Sequence, residues 1–124
     1  MADKKVILFI DDNPVDRRLI ERLLLKYDFL VHLAESGTQG LKMAQELKPD
    51  LILLDILLPG ISGIELCKKI KKIPETAHIP VIFYTSIDTP KHLIDYTSYG
   101  AQDYVQKTMP PQDLIAAVRS ILKQ

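Results

Sequence analysis

At 124 residues the chain is long enough for one domain with a substantial buried core, so we expect a single domain over residues 1–124. Sixteen basic and sixteen acidic residues balance, which removes the cationic field that attracts phosphate backbones and argues against direct nucleic-acid binding. No apolar stretch approaches the ~20 residues needed to cross a bilayer, and the single cysteine, Cys67, excludes an internal disulfide, so we expect a cytoplasmic protein without a membrane segment.

Short apolar runs alternate along the chain with amphipathic segments. The runs predict five strands, at residues 6–10, 29–34, 51–54, 79–84 and 103–106. Five helices are predicted to begin at Asn13-Pro14, Ser36-Gly37, Gly63, Thr89-Pro90 and Pro110-Pro111. Strict alternation favours an α/β fold, a doubly wound five-stranded parallel sheet with helices on both faces.

Two of the predicted helices differ in the strength of their pattern. In the first helix an apolar residue recurs at every fourth position, at Val15, Leu19, Leu23 and Tyr27. Charged residues lie between them, so this stripe is predicted to face the core. The fourth helix has a weaker pattern, formed by Leu93, Ile94 and Tyr96. We therefore expect the fourth helix to be a thinly packed, movable element.

Polar residues stand where four of the five predicted strands end. They are Asp11 and Asp12 after the first strand, Asp55 after the third, Thr85 and Ser86 after the fourth, and Lys107 after the fifth. Ligands of open α/β sheets bind in the crevice beyond the carboxyl ends of the strands. Each of these residues alone is a weak signal, since acids are common in turns and lysines are usually solvated. Their ordered combination is far more specific.

The chemistry of this set suggests a metal-assisted phosphoryl acceptor. If the first and third strands are neighbours, three carboxylates converge and require a counter-ion, and their hard oxygens suit Mg²⁺. A carboxylate can also attack phosphorus and form an aspartyl phosphate, a role for which Asp55 is best placed. The Thr85 hydroxyl, the Ser86 backbone N–H and the Lys107 ammonium can then donate to the phosphoryl oxygens.

With these motifs the sequence resembles the receiver domains of bacterial two-component response regulators, especially the small single-domain chemotaxis-type regulators. The matching motifs are Asp11-Asp12, residues 55–59 with Gly63, Thr85-Ser86, and residues 100–107. The resemblance implies the flavodoxin-like strand order 2-1-3-4-5. It also implies that Asp55 accepts the phosphoryl group and that Mg²⁺ is bound by Asp11, Asp12, Asp55 and the backbone carbonyl of Leu57. Thr85 and Tyr104 match the family's switch pair.

The resemblance further implies a signalling role rather than metabolic catalysis. The phosphoryl group would come from the phosphohistidine of a histidine kinase or phosphotransfer protein. The chain would catalyse only its own phosphorylation and dephosphorylation. A downstream protein would bind the face formed by the fourth helix, the fifth strand and the fifth helix, near Tyr104.

Two departures from the family pattern lead to specific expectations. The family's lysine usually precedes a proline in a cis peptide, whereas Thr108 follows Lys107 here. A cis bond without proline costs roughly 2.5–4 kcal/mol, so we expect either a cis bond retained by the site or a trans bond with Lys107 displaced. The family's two positions that flank the path of the hydrolytic water hold the apolar residues Leu57 and Ile87. We therefore expect the phosphorylated form to be long-lived.

Three other functions compete with this signalling role, of which a metal-dependent phosphatase is the most distant, because no general acid follows Asp55 at a short spacing. A receiver-shaped scaffold that does not accept phosphate would explain why no proline follows Lys107. Incubation with acetyl phosphate and Mg²⁺, followed by intact mass measurement, would distinguish such a scaffold from a phospho-accepting domain. A flavodoxin-like electron carrier would share the fold. Asp11 and Asp12, however, would repel the phosphate of a flavin, which needs hydroxyl and N–H donors.

Overall fold

Strands and helices alternate along the part of the chain that the computed structural model describes, residues 3–124; Met1 and Ala2 of the predicted domain lie outside the described residues. The strands are β1 (Val6–Ile10), β2 (Leu30–Ala34), β3 (Leu51–Leu54), β4 (Val81–Thr85) and β5 (Asp103–Gln106). The α-helices are α1 (Pro14–Lys26), α2 (Gly37–Leu47), α3 (Gly63–Lys72) and α4 (Pro111–Leu122). Among residues 3–124, no helix combines the length and the apolar character needed to cross a membrane.

The five strands form one parallel sheet in the order β2-β1-β3-β4-β5, which confirms the predicted sheet and its strand order. At the carboxyl end of β1, Ile10 pairs with Ala34 of β2 on one side and with Leu54 of β3 on the other. The residues that follow Ile10 and Leu54 are Asp11 and Asp55. Because β1 and β3 are neighbours in register, both acids fall at the same edge of the sheet.

Strand side chains alternate between two apolar layers, one on each face of the sheet. On β3, Ile52 and Leu54 belong to the layer covered by α2 and α3, whereas Leu51 and Leu53 belong to the layer covered by α1 and α4. All four are fully buried. Burial of such a side chain contributes roughly 1.5–3 kcal/mol, so the central strand is held firmly from both faces. Asp55 therefore extends from one of the most constrained segments of the chain.

The helix count differs from the prediction, because residues 3–124 contain four α-helices rather than five. The predicted fourth helix is reduced to a 3-10 helix at Lys91–Leu93. Polar side chains explain the loss: the Ser98 hydroxyl donates to the Asp95 carbonyl over 2.9 Å, and the Thr97 hydroxyl donates to the Asp95 carboxylate over 3.4 Å. Such local bonds compete with helical hydrogen bonding.

The predicted core stripe of α1 was also wrong in part. Its first two residues are exposed, Val15 by 64% and Leu19 by 56%, while the buried positions are Ile20 and Leu24. A four-residue repeat advances 400° along a helix with 3.6 residues per turn, so the stripe drifts about 40° at each step. The drift carries its N-terminal half off the core and leaves apolar side chains on the surface beside the acidic edge.

Candidate functional site

Three carboxylates meet at the carboxyl edge of the sheet. Asp11, Asp12 and Asp55 each present an oxygen within 4.8 Å of those of the other two. Asp11 is fully buried and Asp55 is 3% exposed, whereas Asp12 is exposed to solvent. The structure thus brings together the three acids that the sequence predicted to converge.

Backbone hydrogen bonds orient the two buried carboxylates in the same way. Asp11 Oδ1 accepts from the N–H of Asn13 over 2.8 Å, and Asp55 Oδ1 accepts from the N–H of Leu57 over 3.1 Å. In both residues the second oxygen, Oδ2, is directed to Lys107. The loop that leaves each strand therefore holds one carboxylate oxygen and directs the other into the site.

The Lys107 ammonium joins these acids. Its Nζ lies 2.5 Å from Asp11 Oδ2, 2.7 Å from Asp16 Oδ2 and 3.1 Å from Asp55 Oδ2. An ammonium has three N–H donors, so each donor has one carboxylate partner. Burial alone would lower the pKa of Lys107, but its hydrogen bonds to Asp11 and Asp16 outweigh burial and raise that pKa. Lys107 is therefore a permanent positive charge at neutral pH.

The negative charge of the site exceeds what Lys107 neutralises. Burial raises the pKa of Asp11, and the opposing hydrogen bonds from Lys107 and from the Asn13 N–H only partly offset it. A buried carboxylate with a raised pKa is short of compensating positive charge. A divalent cation at Asp11, Asp12 and Asp55 would supply it, and clustered carboxylate oxygens are the donors that Mg²⁺ prefers. The residues present thus fit magnesium.

The loop between β3 and α3 depends on Gly63. A Cβ at this position would lie 2.2 Å from the Asp55 carbonyl oxygen and 2.7 Å from Ile56 Cα, both backbone atoms. The Gly63 N–H also donates to the Ile56 carbonyl over 2.8 Å. Only glycine lets the first turn of α3 approach the Asp55 backbone so closely, so α3 and the acidic cluster form one packed unit.

Comparison with known proteins assigns the family. The profile of the response regulator receiver domain matches residues 7–119. Protein PilH of Pseudomonas aeruginosa is 33% identical over 116 residues, which cover 94% of this chain and 96% of PilH. The chain belongs to the response regulator receiver domain family. Such receiver domains are phospho-accepting signal-transduction modules that bind Mg²⁺ in an acidic site, and this chain has an acidic cluster at Asp11, Asp12 and Asp55.

Two further matches agree with this assignment. The response regulator PleD of Caulobacter vibrioides is 38% identical over 117 residues, which are 94% of this chain but only 26% of PleD, so the chain spans about a quarter of that relative's length. A putative response regulator from Chloroflexus aurantiacus has a crystal structure that matches with a TM-score of 0.90 at 31% identity, covering 98% of this chain and 100% of that one. Neither the scaffold nor the electron carrier is favoured by these matches.

Thr85 and Ser86 lie at the same edge of the receiver domain. Thr85 is fully buried at the end of β4, and its hydroxyl oxygen accepts from the Ile87 N–H over 3.3 Å. Its backbone carbonyl accepts from the Lys107 N–H over 2.8 Å, which extends the pairing of β4 with β5 into the site. Ser86 is exposed just beyond it. The roles of both residues as phosphoryl donors stay predictions, as does that of the Leu57 carbonyl as a metal ligand.

Both expectations for the Lys107-Thr108 peptide were wrong. The bond is trans, and yet Lys107 reaches Asp55. Its backbone N–H is held by Thr85, and the Met109 N–H donates to the Gln106 carbonyl over 3.0 Å in a tight turn. The flexible lysine side chain then spans the remaining distance to the carboxylates, so no proline is required to place it.

Sequence reasoning missed two residues of the site. Asp16 contacts the ammonium of Lys107. Arg17 donates from Nη1 to the Asp11 carbonyl over 2.8 Å, and its Nη2 lies 3.8 Å from Glu35 Oε2. The missed signal was their position in the first turn of a helix that starts three residues after Asp11, since that turn must border the same edge.

Tyr104 connects β5 to the segment after β4. It is 2% exposed, and its hydroxyl donates to the Thr89 carbonyl over 2.7 Å. Its ring stacks on Tyr96, with 6.3 Å between centroids and 17° between planes. Burial raises the pKa of its hydroxyl, with a further contribution from Asp88. The predicted switch tyrosine, Tyr104, thus packs against the segment that follows Thr85.

Proposed function

We propose that Asp55 is the phosphoacceptor and that residues 1–124 form one receiver domain. Asp55 shares with Asp11 one oxygen bound by a backbone N–H and one directed to Lys107 Nζ, which lies 3.1 Å from Asp55 Oδ2, so the position of Asp55 in the fold carries the first point. Among the three clustered acids, Asp55 alone follows the fully buried central strand. The family match over residues 7–119 supports the second point.

The reaction is a transfer of the phosphoryl group between two partners. A carboxylate oxygen of Asp55 forms a bond to phosphorus while the bond from phosphorus to a donor imidazole nitrogen breaks, leaving a neutral histidine after protonation. Lys107, Thr85 and the Ser86 N–H donate to the phosphoryl oxygens, where negative charge must be stabilised. Asp11, Asp12, Asp55 and the Leu57 carbonyl would hold Mg²⁺, which when bound supplies positive charge to the same oxygens.

The donor we propose is the phosphohistidine of a histidine kinase or phosphotransfer protein. The recipient of the signal would be a protein that binds at β5, α4 and the 3-10 helix, the counterpart of the face predicted from the sequence. A groove of about 420 Å³ lies there, lined by Lys91, Tyr104, Gln106 and Asp113 among others. Tyr104 lies between this groove and the segment after Thr85, which supports its role in transmitting the signal. The protein would turn over no metabolite.

Incubation with acetyl phosphate and Mg²⁺, followed by intact mass measurement, tests the proposal. We expect the wild type to gain one phosphoryl group and Asp55→Asn to gain none. Asp113→Asn, which removes an exposed acid of α4, is the matched control and should react like the wild type. Modification of Asp55→Asn at the wild-type rate would show that another residue accepts the group.

A further inference from the structure

Asp16 brings a fourth carboxylate to the site, outside the acidic cluster. Its Oδ2 lies 2.7 Å from Lys107 Nζ, closer than the 3.1 Å between that nitrogen and Asp55 Oδ2. The side chains of Asp16 and Lys107 are 29% and 13% exposed, so water competes weakly for this ion pair. The strength of the contact suggests a role in placing the ammonium.

The start of α1 fixes Asp16 relative to Asp11. The Asn13 side chain accepts from the N–H groups of Val15 and Asp16, over 2.9 Å and 3.2 Å, and so caps the helix. The Asn13 N–H in turn donates to Asp11. One hydrogen-bonded segment therefore presents both carboxylates to Lys107 as a pair of fixed acceptors.

Two fixed acceptors determine where the third N–H of the ammonium lies. A lysine side chain has four rotatable bonds, and a single ion pair would leave the ammonium free to swing about its partner. Contacts with both Asp11 and Asp16 remove that freedom, and the remaining N–H then reaches Asp55. We propose that Asp16 is a positioning residue for phosphoryl transfer: with Asp11 it forms a two-point anchor that aims Lys107 at Asp55. This inference rests on the function proposed above.

If Asp16 acted only through its charge, its removal would change the phosphorylation rate in the opposite direction. If Asp16 only added negative charge beside the site, its removal would reduce repulsion of an anionic phosphoryl donor and speed up the reaction. If it anchors Lys107, its removal slows the reaction. Glu35→Gln is the matched control, because Glu35 follows β2 at the same edge and its carboxylate pairs with Arg17. That variant loses the same charge and leaves the contacts of Lys107 in place.

The kinetic test uses acetyl phosphate and Mg²⁺, so that a bond from Asp55 to phosphorus forms as acetate leaves with the electron pair of the broken bond. We expect Asp16→Ala to lower the initial rate about tenfold, the size of effect for loss of one charged hydrogen bond. Asp16→Asn keeps an acceptor oxygen and should lower the initial rate less than Asp16→Ala does. Glu35→Gln should not lower it. The Mg²⁺ concentration that gives half the maximal rate should not change. In a Lys107→Ala background, Asp16→Ala should cause no further loss.

The second measurement needs neither metal nor donor. Nitrogen-15 relaxation of the Lys107 ammonium in the metal-free protein should show greater mobility in Asp16→Ala than in the wild type or Glu35→Gln. Wild-type or faster phosphorylation of Asp16→Ala, an equally ordered ammonium, or the same loss without Lys107 would each overturn the anchor. If circular dichroism shows that Asp16→Ala does not fold, the same two measurements on Asp16→Asn test the anchor instead. A wild type that takes up no phosphoryl group would instead refute the proposed function, and the relaxation data would still decide on the anchor.

Discussion

The acidic edge and the segment at residues 86–100 adjoin each other but are built in opposite ways. At the edge, buried strands lead directly into Asp11 and Asp55, and each acid is held by a backbone N–H and by Lys107. The segment has only the 3-10 helix Lys91–Leu93, and Leu93 is 68% exposed. The acidic side chains are therefore presented by rigid elements. The segment at residues 86–100 has few buried side chains and is the region better suited to change shape.

Hydrogen bonds join the segment to the strands that border the edge. The Ile87 N–H donates to the Thr85 hydroxyl, the Tyr104 hydroxyl donates to the Thr89 carbonyl, and the Gln106 side-chain amide donates to the Ile87 carbonyl over 3.0 Å. If Thr85 moves towards a phosphoryl group, as the family's switch pair implies, its bond to the Ile87 N–H would carry that change into the segment. The following variants alter the rigid region, the boundary between the two regions, or a hydrogen bond that joins them.

The largest effect is expected from Gly63→Ala, which disrupts the packing of the rigid region. The added Cβ would meet the Asp55 carbonyl oxygen at 2.2 Å, and backbone cannot move away as a flexible side chain can. We expect a loss of about 3 kcal/mol in the free energy of unfolding by urea denaturation, together with reduced phosphorylation. Gly60→Ala is the control, because open space surrounds Gly60 and its φ of +82° should cost only about 1 kcal/mol. Equal losses in the two variants would contradict the close approach of α3.

Leu57→Asn and Ile87→Glu test the expected long life of the phosphorylated form. Leu57 is 55% exposed and Ile87 half-buried, one on each side of the boundary between the two regions. Polar side chains that orient an attacking water should raise the hydrolysis rate, by about tenfold for the double variant. Decay of the phosphorylated protein after donor removal measures it. An unchanged decay rate would show that these positions do not limit hydrolysis.

Asp11→Asn tests whether the buried negative charge of Asp11 destabilises the metal-free protein. Because burial raises the pKa of Asp11, folding favours its protonated form, and the ionised form at neutral pH destabilises the metal-free protein. We expect the variant to be more stable than the wild type towards urea unfolding at pH 7 without Mg²⁺. The gain should shrink as the pH falls through the folded-state pKa and vanish below the usual carboxyl range. Mg²⁺ should stabilise the wild type more than the variant; a less stable variant at pH 7 would contradict this reading.

The smallest effect is expected from Tyr104→Phe, which removes a hydrogen bond that joins the two regions. Losing the bond to the Thr89 carbonyl should cost about 0.5–1 kcal/mol and speed up hydrogen exchange in the segment at 86–100. Initial phosphorylation should stay at the wild-type rate, since Asp55 and Lys107 are untouched. Tyr27→Phe, at the far end of α1, should leave exchange in that segment unchanged. Slower phosphorylation of Tyr104→Phe would show that the two regions are less separable than described.

Sequence patterns predicted the rigid region far better than the weak one, for physical reasons. A fully buried strand such as β3 must be continuously apolar, so the single acid after it is conspicuous. The fate of residues 89–99 instead depended on whether local bonds from Thr97 and Ser98 would outcompete a helix, a small energy difference that no periodicity reveals. Asp16 was missed because its role depends on the rotation of α1, which the misleading repeat of Val15 and Leu19 obscured.

The fixed orientation of the Asp55 carboxylate has a consequence for the choice of donor. If Asp55 is the acceptor, as proposed, the Leu57 N–H occupies Oδ1 and leaves Oδ2, beside Lys107, as the oxygen directed into the site, while only 3% of the residue is exposed. Phosphorus would then approach Oδ2 beside Lys107. A small free phosphoryl donor could enter such a buried site, whereas a macromolecular donor would have to extend its phosphorylated side chain beyond its own surface. How far that side chain protrudes would therefore limit which proteins can deliver the group.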